Sequence, residues 1–254
     1  MKIATLNVNG LRASIKKGFL DWLENSGIDI ICLQEVRMDA ADLEKKVPKG
    51  WHNIHVAAQK KGYSGVAIWS KIKPKSWKKN FAFDLSDNEG RIIKAEFENC
   101  IVYSMYFPSG TSGTSRQDEK YRFLNFIEKN APVFQQQHEH VLICGDVNIA
   151  HTALDIFHDK ANAKNSGFLP RERDWMSSFL QSGWKDVYRE CHPKKEIYSW
   201  WSNRSRTARS KNVGWRIDYH LASPALANKV QESSILEREI VLSDHTAVIV
   251  EYNI

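Results

Sequence analysis

The stretch "HVLICGDVN", His140 to Asn148, is where the fold can first be read. Val141, Leu142, Ile143 and Cys144 form a compact apolar run of the kind a buried strand uses. Gly145 then breaks the run and delivers Asp146 and Asn148, a carboxylate and an amide two residues apart. If strand geometry persists past Gly145, the two side chains share one face. A core strand that ends by presenting such a pair raises the question of what else lies at that end.

Similar short runs recur along the chain: "KIATLNV", "DIICLQE", "GVAIWS", "RIIKAEF", "CIVYSMYF", "RIDYHLA" and "HTAVIVEY". Helix-like segments lie between them, at Lys17 to Asn25, Ala40 to Lys46, Arg116 to Lys129 and Arg171 to Leu180, the last with Pro170 at its first turn. No repeat or low-complexity linker divides the 254 residues. The economical reading is one α/β domain, residues 1–254, with more strand than a simple doubly wound sheet.

Composition narrows the function classes. A chain that is 42% hydrophobic and 11% aromatic can bury a substantial core, so it folds. The 36 Lys and Arg against 30 Asp and Glu give a net charge of +6, which favours a polyanionic partner. Cys32, Cys100, Cys144 and Cys191 show no zinc-like spacing and read as free buried thiols of a reducing cytosol. The opening "MKIATLNVNG" turns polar by its fifth residue, unlike a signal peptide, and no apolar run approaches bilayer-spanning length. A cytoplasmic protein with no membrane contact is therefore expected.

Acidic and amide side chains recur at strand ends. Asn7 follows "KIATL", Glu35 follows "DIICLQ", and Asp146 with Asn148 follow "VLICG"; Asp218 sits inside "WRIDYHL", and Asp244 and His245 precede the final strand. Taken singly, each has an ordinary explanation as a turn former or a solvated loop residue. Together they suit a hard divalent cation, because strand ends of a sheet sandwich can converge on one rim.

Two polar stretches look like functional loops, "PSGTSGTSRQ" from Pro108 and "SNRSRTARSKNVGWR" from Ser202. Arg204, Arg206, Arg209, Lys211 and Arg216 could form a merely solvated face. Trp200, Trp201 and Trp215 frame them, however, and cations beside aromatics can grip phosphate and accept an unstacked nucleotide. At least one of these tryptophans could equally belong to the core.

Eight pieces of the chain, in order, resemble the exonuclease III family of apurinic/apyrimidinic endonucleases, within the endonuclease/exonuclease/phosphatase superfamily: "NVNGLRA" at Asn7, "LQE" at Leu33, "GYSGVAIWS" at Gly62, "YFPSG" at Tyr106, "GDVN" at Gly145, "NSGFLPRER" at Asn165, "SKNVGWRIDY" at Ser210 and "SDH" at Ser243. "GDVN" and "SDH" suit the whole superfamily. "NGLRA", "NSGF" and "GWRIDY" together point to its DNA-repair branch. The resemblance implies a DNase I-like, four-layered α/β sandwich, two packed mixed β-sheets flanked by helices.

It also implies residue roles. Glu35 is the principal metal carboxylate, with Asn7 beside it and Asp244 completing the site; Asp146, Asn148 and His245 adjoin the same metal. Mg²⁺ is the implied cofactor, with Mn²⁺ able to substitute. Asp146 orients or deprotonates the attacking water, Asn148 holds that water and the developing charge, and Tyr106 contacts the scissile phosphate or helps the leaving group. His245, paired with Asp218, binds the phosphate, or in another account of the family is itself the general base. Trp200, Trp215 and Ile217 surround a baseless sugar, while Arg12, Lys17, Gly62, Tyr63 and Asn165 lie where relatives touch the DNA backbone. The implied substrate is double-stranded DNA containing abasic sites or blocked 3′ ends, cut by a monomer on the 5′ side of the lesion. A phosphatase of small substrates and a DNA-binding relative without catalysis are the competing readings. The pattern departs from many relatives at Asn9, where several carry Asp, and in "SDHTAV", which lacks a proline two residues after the histidine.

Overall fold

Each of the recurring apolar runs is a strand, and the strands form two mixed six-stranded sheets. In the computed structural model, which describes residues 1–254, the strands are β1 (Lys2–Asn7), β2 (Ile30–Gln34), β3 (His52–Val56), β4 (Val66–Ser70), β5 (Ser76–Lys78), β6 (Ile92–Glu96), β7 (Ile101–Tyr106), β8 (Val141–Asp146), β9 (Lys185–Asp186), β10 (Asp218–Ala222), β11 (Val230–Ile235) and β12 (Val248–Tyr252). Their orders are β11-β12-β1-β2-β4-β3 and β5-β6-β7-β8-β10-β9. The pairs β1/β2 and β7/β8 are parallel and the others antiparallel.

Alternation within single strands builds the layers. Along β8, Val141 and Ile143 join a core with Phe123, Ile127 and Met176 of the helices Thr114–Gln136 and Pro170–Gln181. Leu142 and Cys144 instead meet Ile3, Ile30, Cys32 and Val102 between the sheets. Along β1 and β2, Ala4, Leu6, Ile31 and Leu33 face a third core with Phe19 and Leu23 of the helix Phe19–Asn25. Strands buried on both faces lose the polar half of the alternation, which is why they read as unbroken apolar runs. The result is helix, sheet, sheet, helix, as the resemblance implied.

Local details differ from the sequence reading. The helix over 116–129 runs on from Thr114 to Gln136, through Pro132, because Ala131 and Phe134 are buried against the sheet and that burial outweighs the lost backbone bond. Gly145 does not break β8 but lies inside it, where an added Cβ would collide with the Met105 carbonyl oxygen of β7. Cys32, Cys100 and Cys144 are buried free thiols, whereas Cys191 is exposed, being at the end of a short surface helix. No helix is long and apolar enough to cross a membrane.

Topology brings the candidate residues together. The carboxyl ends of β1, β2, β7 and β8 share one rim, and antiparallel β10 starts there with Asp218 in register with Asp146. A polar chain marks the approach to the rim between the sheets: Thr5 Oγ1 donates to Gln34 Oε1 (3.1 Å), and Gln34 Nε2 donates to Ser104 Oγ (3.1 Å).

Candidate active site

At the rim, Asp146 is the hub. Its carboxylate accepts from Asn7 Nδ2 (2.9 Å) and from the Asn148 backbone N–H (2.9 Å), and Asn148 Nδ2 lies 3.3 Å away. The strand does not persist to Asn148, whose φ is +56°. The two side chains therefore meet through a side-chain-to-backbone turn and not by strand alternation, which corrects the shared-face argument. Asn7 Nδ2 also donates to Glu35 Oε1 (2.8 Å) while Asn7 Oδ1 accepts from the Asn9 N–H (2.9 Å). The amide nitrogen of Asn7, not its oxygen, thus faces the carboxylates.

A second array closes the rim. His245 Nδ1 is 2.9 Å from Asp218 Oδ2, the same oxygen accepts from Ser199 Oγ (2.6 Å), and His245 Nε2 lies 3.9 Å from Asp146 Oδ2. Burial alone would lower the imidazole pKa, but the charge and hydrogen bond of Asp218, helped by Asp146 and Asp244, drive it upward instead. The surroundings of His245 therefore favour the protonated imidazole. Burial pushes the Asp146 carboxyl up; His245 and Asn7 oppose this, and Asp218 and Glu35 reinforce it. Tyr106 is held well above the usual phenol range by burial and Glu35, so it stays a donor. Its ring lies under the Arg91 guanidinium (4.6 Å), which also donates to the Tyr106 carbonyl (2.9 Å) and to the Tyr63 hydroxyl (3.1 Å).

Glu35, Asp146 and His245 each place a donor atom within 4.8 Å of the other two. Two carboxylates converging on one point, with Arg37 partly neutralising Glu35 and the Asn7 amide donating to it, form a hard donor set able to hold a divalent cation. Asp244 is not one of this trio; its oxygens accept from Asn9 Nδ2 (2.9 Å), Ser243 Oγ (3.1 Å) and Trp200 Nε1 (3.3 Å). Asn9, just past the end of β1, is thereby tied to the "SDH" loop.

These groups line a cavity of about 870 Å³. Trp200, Trp215 and Ile217 supply its apolar wall, the two indoles edge to face at 5.9 Å, with Asn165, Lys164 and Arg204 at the margin. Gly167, at φ +96°, lets Trp215 approach, since a Cβ there would sit 2.7 Å from its ring. Gly62, Tyr63 and Arg12 line a neighbouring groove that shares Arg37 with the cavity. Lys17 lines another, with Arg206 and Arg209, that shares Asp244. Arg12 itself pairs with Asp42 and lies outside the central cavity.

The basic loop resolves into parts. Arg216 is fully buried and pairs with Asp155 (2.7 Å) and Asp186 (2.7 Å), so it is a core ion and cannot reach phosphate. Arg209 donates to the carbonyls of Arg238, Ile240 and Ser243 and stacks on Trp201, which is the buried tryptophan of the three. Among the five cations, Arg204 alone lines the central cavity.

Sequence reading missed the support beneath Asn148. Lys120 Nζ, fully buried, donates to the Asn148 carbonyl (2.8 Å) and to Glu172 Oε1 (2.6 Å). Glu172 in turn accepts from the N–H groups of Gly167 (2.7 Å) and Leu169 (3.0 Å), which fixes the loop carrying Asn165. The available signals were a lysine on the apolar face of a helix and the glutamate three residues into "LPRER".

Comparisons with known proteins agree with this geometry. The Endonuclease/Exonuclease/phosphatase family matches residues 4–245. An exodeoxyribonuclease of Bacillus subtilis is 38% identical over 256 residues, covering all of both chains. A DNA-(apurinic or apyrimidinic site) endonuclease of Dictyostelium discoideum is 35% identical over all of this chain and 71% of its own length. Among solved structures, a Neisseria 3′ phosphatase bound to a product DNA hairpin superposes with TM-score 0.90 at 27% identity, and an Archaeoglobus fulgidus AP endonuclease with 0.88 at 26%, each over the full length of both chains. With a rim of converging carboxylates, a carboxylate-held histidine and this match over nearly its whole length, the chain belongs to the Endonuclease/Exonuclease/phosphatase family, in its exonuclease III branch of exodeoxyribonucleases and AP endonucleases.

Proposed function

We infer that this protein is a DNA-repair nuclease that hydrolyses the phosphodiester 5′ to an abasic site, leaving a 3′ hydroxyl and a 5′ deoxyribose phosphate, with an accompanying 3′-to-5′ exonuclease or 3′-end-trimming activity. The observation that carries the reading is the junction of two devices at one cavity: Glu35 and Asp146, bridged from beneath by buried Asn7, against His245 backed by buried Asp218, beside an aromatic wall.

The chemistry assigns the residues. A phosphodiester is anionic, so attack needs charge neutralisation, an activated water and help for the departing 3′ oxygen. His245, charged and held by Asp218, donates to a non-bridging phosphate oxygen. Asp146, its carboxylate held in place by its neighbours Asn7 and Asn148, takes the water proton. Tyr106 donates from the phosphate side. Glu35 and Asp146, beside His245, would hold Mg²⁺, with Mn²⁺ able to substitute, and that ion supplies a positive charge for a phosphate oxygen. Asp244, on the wall of the same cavity and held by Asn9 and Trp200, completes the site.

Recognition follows from the wall. An abasic nucleotide has little stacking to lose, so it swings out at low cost, and Trp200, Trp215 and Ile217 accept the bare sugar. Tyr63 and Gly62 on one side and Lys17 on the other extend the contact along the backbone of double-stranded DNA. We place the protein in the cytoplasm as a one-domain monomer with no membrane contact; buried free Cys32, Cys100 and Cys144 support a reducing compartment.

The test is a duplex carrying one abasic analogue, incubated with Mg²⁺, Mn²⁺ or chelator, alongside an undamaged 3′-recessed duplex and an inositol polyphosphate. Metal-dependent nicking at the lesion, uninhibited by the inositol compound, is the expected result. No nicking with either metal, or turnover of the inositol phosphate in preference to DNA, would overturn the reading.

A further inference from the structure

The segment "KIKPKSWKK", Lys71 to Lys79, carries five lysines and one tryptophan and plays no part in the cavity chemistry. It runs from the end of β4 through edge strand β5. On β2 and β4, Gln34 pairs with Val66 at the catalytic rim and Ile30 with Ser70 at the other end. The segment therefore begins at the end of the sheets away from the rim.

Two features set this surface apart. Lys71, Lys73, Lys78 and Lys79 have no carboxylate within salt-bridge distance, although Lys75 pairs with Glu98 (2.6 Å). Trp77 is 52% exposed, the only aromatic among the exposed large apolar side chains. Lysines on an edge strand guard against edge-to-edge pairing. That role explains the charges and leaves the exposed indole unexplained, because a protected edge avoids large apolar groups. Trp77 and Trp51 both line a cleft of about 400 Å³, with Lys73, Lys75 and His52 beside them and Glu44 as its one carboxylate. Lys71 lies over the Trp51 ring (5.2 Å) and Lys79 over that of Trp77 (5.8 Å).

We propose that the Trp51/Trp77 cleft and the lysines of residues 71–79 form a second nucleic-acid contact, specific for single strands and separate from the catalytic cavity. Unpaired lysines track the phosphates, while an unstacked base lies against the exposed indole, which a paired base in a duplex cannot do. The contact would hold an unpaired stretch of the same or another nucleic acid while the rim works on the lesion.

The experiment measures binding of a labelled thymidine oligomer in chelator, with the cavity saturated by an abasic-analogue duplex. Trp77→Ala is expected to weaken binding about tenfold. Lys73→Glu with Lys79→Glu should weaken it further and lower the salt dependence by about 0.7 per lost phosphate contact. Nicking at an isolated abasic site should be unchanged in both variants. Equal oligomer affinity in parent and variants would overturn the proposal. So would loss of affinity in the lysine variant but not in Trp77→Ala, the behaviour of a plain polyanion surface. Binding of anionic lipid vesicles that depends on Trp77, with no such dependence for the oligomer, would assign the patch to a membrane surface instead.

Discussion

Replacing Lys120 by Met tests how the catalytic loop is held. Lys120 and Glu172 are both 0% exposed, and the ammonium bridges Glu172 Oε1 at 2.6 Å and the Asn148 carbonyl at 2.8 Å. Burial pulls the lysine pKa down while Glu172 works against it, so the pair stands or falls together. Removing one partner of a buried pair costs ~3–5 kcal/mol, because the remaining charge is left uncompensated. Here Glu172 keeps the Gly167 and Leu169 amides and Gln117 Nε2 (2.9 Å), and the Met side chain refills part of the volume. The expected loss is therefore at the lower end, ~3 kcal/mol, read as a shift in urea midpoint at constant slope. Lys120→Met combined with Glu172→Gln removes both charges and should recover ~1–2 kcal/mol relative to the single variant. With the Asn148 carbonyl released, kcat should fall while affinity for abasic DNA changes little. A loss below ~1 kcal/mol in the single variant, or no recovery in the double, would refute the view that this pair is dry and coupled.

Other perturbations read different parts of the structure. His220 lies between the sheets with Nδ1 3.1 Å from the Tyr252 hydroxyl and Nε2 unpartnered, and burial lowers its pKa from 6.5 to about 3. The folded state refuses a proton that the unfolded chain accepts, so this stability is complete above pH 6.5 and is lost as pH falls toward 3, by up to ~1.4 kcal/mol per pH unit. Urea titrations between pH 6.5 and about 4 should show that slope in the parent and a flatter one in His220→Phe; parallel slopes would contradict it. Gly145→Ala drives a methyl group into the Met105 carbonyl, so β7 and β8 must part. It should destabilise by ~1–3 kcal/mol and slow nicking by displacing Asp146; wild-type stability and rate would show that the strands adjust freely.

What the sequence revealed depended on burial. Strands such as β8 and β2, covered on both faces, announced themselves as apolar runs. Four strands left no such trace: β3 buries only Ile54, β5 is exposed throughout, β9 has two residues, and β11 is a polar edge. The site residues at the ends of parallel strands were legible because topology alone brings those ends together. Side-chain direction was not. Asn7 turns its nitrogen inward, Asp244 is occupied by Asn9 and Trp200, and Arg216 leaves the basic loop for a buried ion pair. Each depends on partners distant in the chain, which spacing cannot disclose. Lys120 was hidden for the same reason, since its partner Glu172 lies 52 residues away.

The most direct test of the mechanism is Asp146→Asn, assayed for single-turnover nicking of an abasic duplex and, in chelator, for affinity toward the same duplex. Removing the proton acceptor should slow cleavage by about a thousandfold or more while affinity stays within about threefold. Cleavage within about tenfold of the parent would show that Asp146 is not the base, and a matching collapse of affinity would make it a structural residue of the rim.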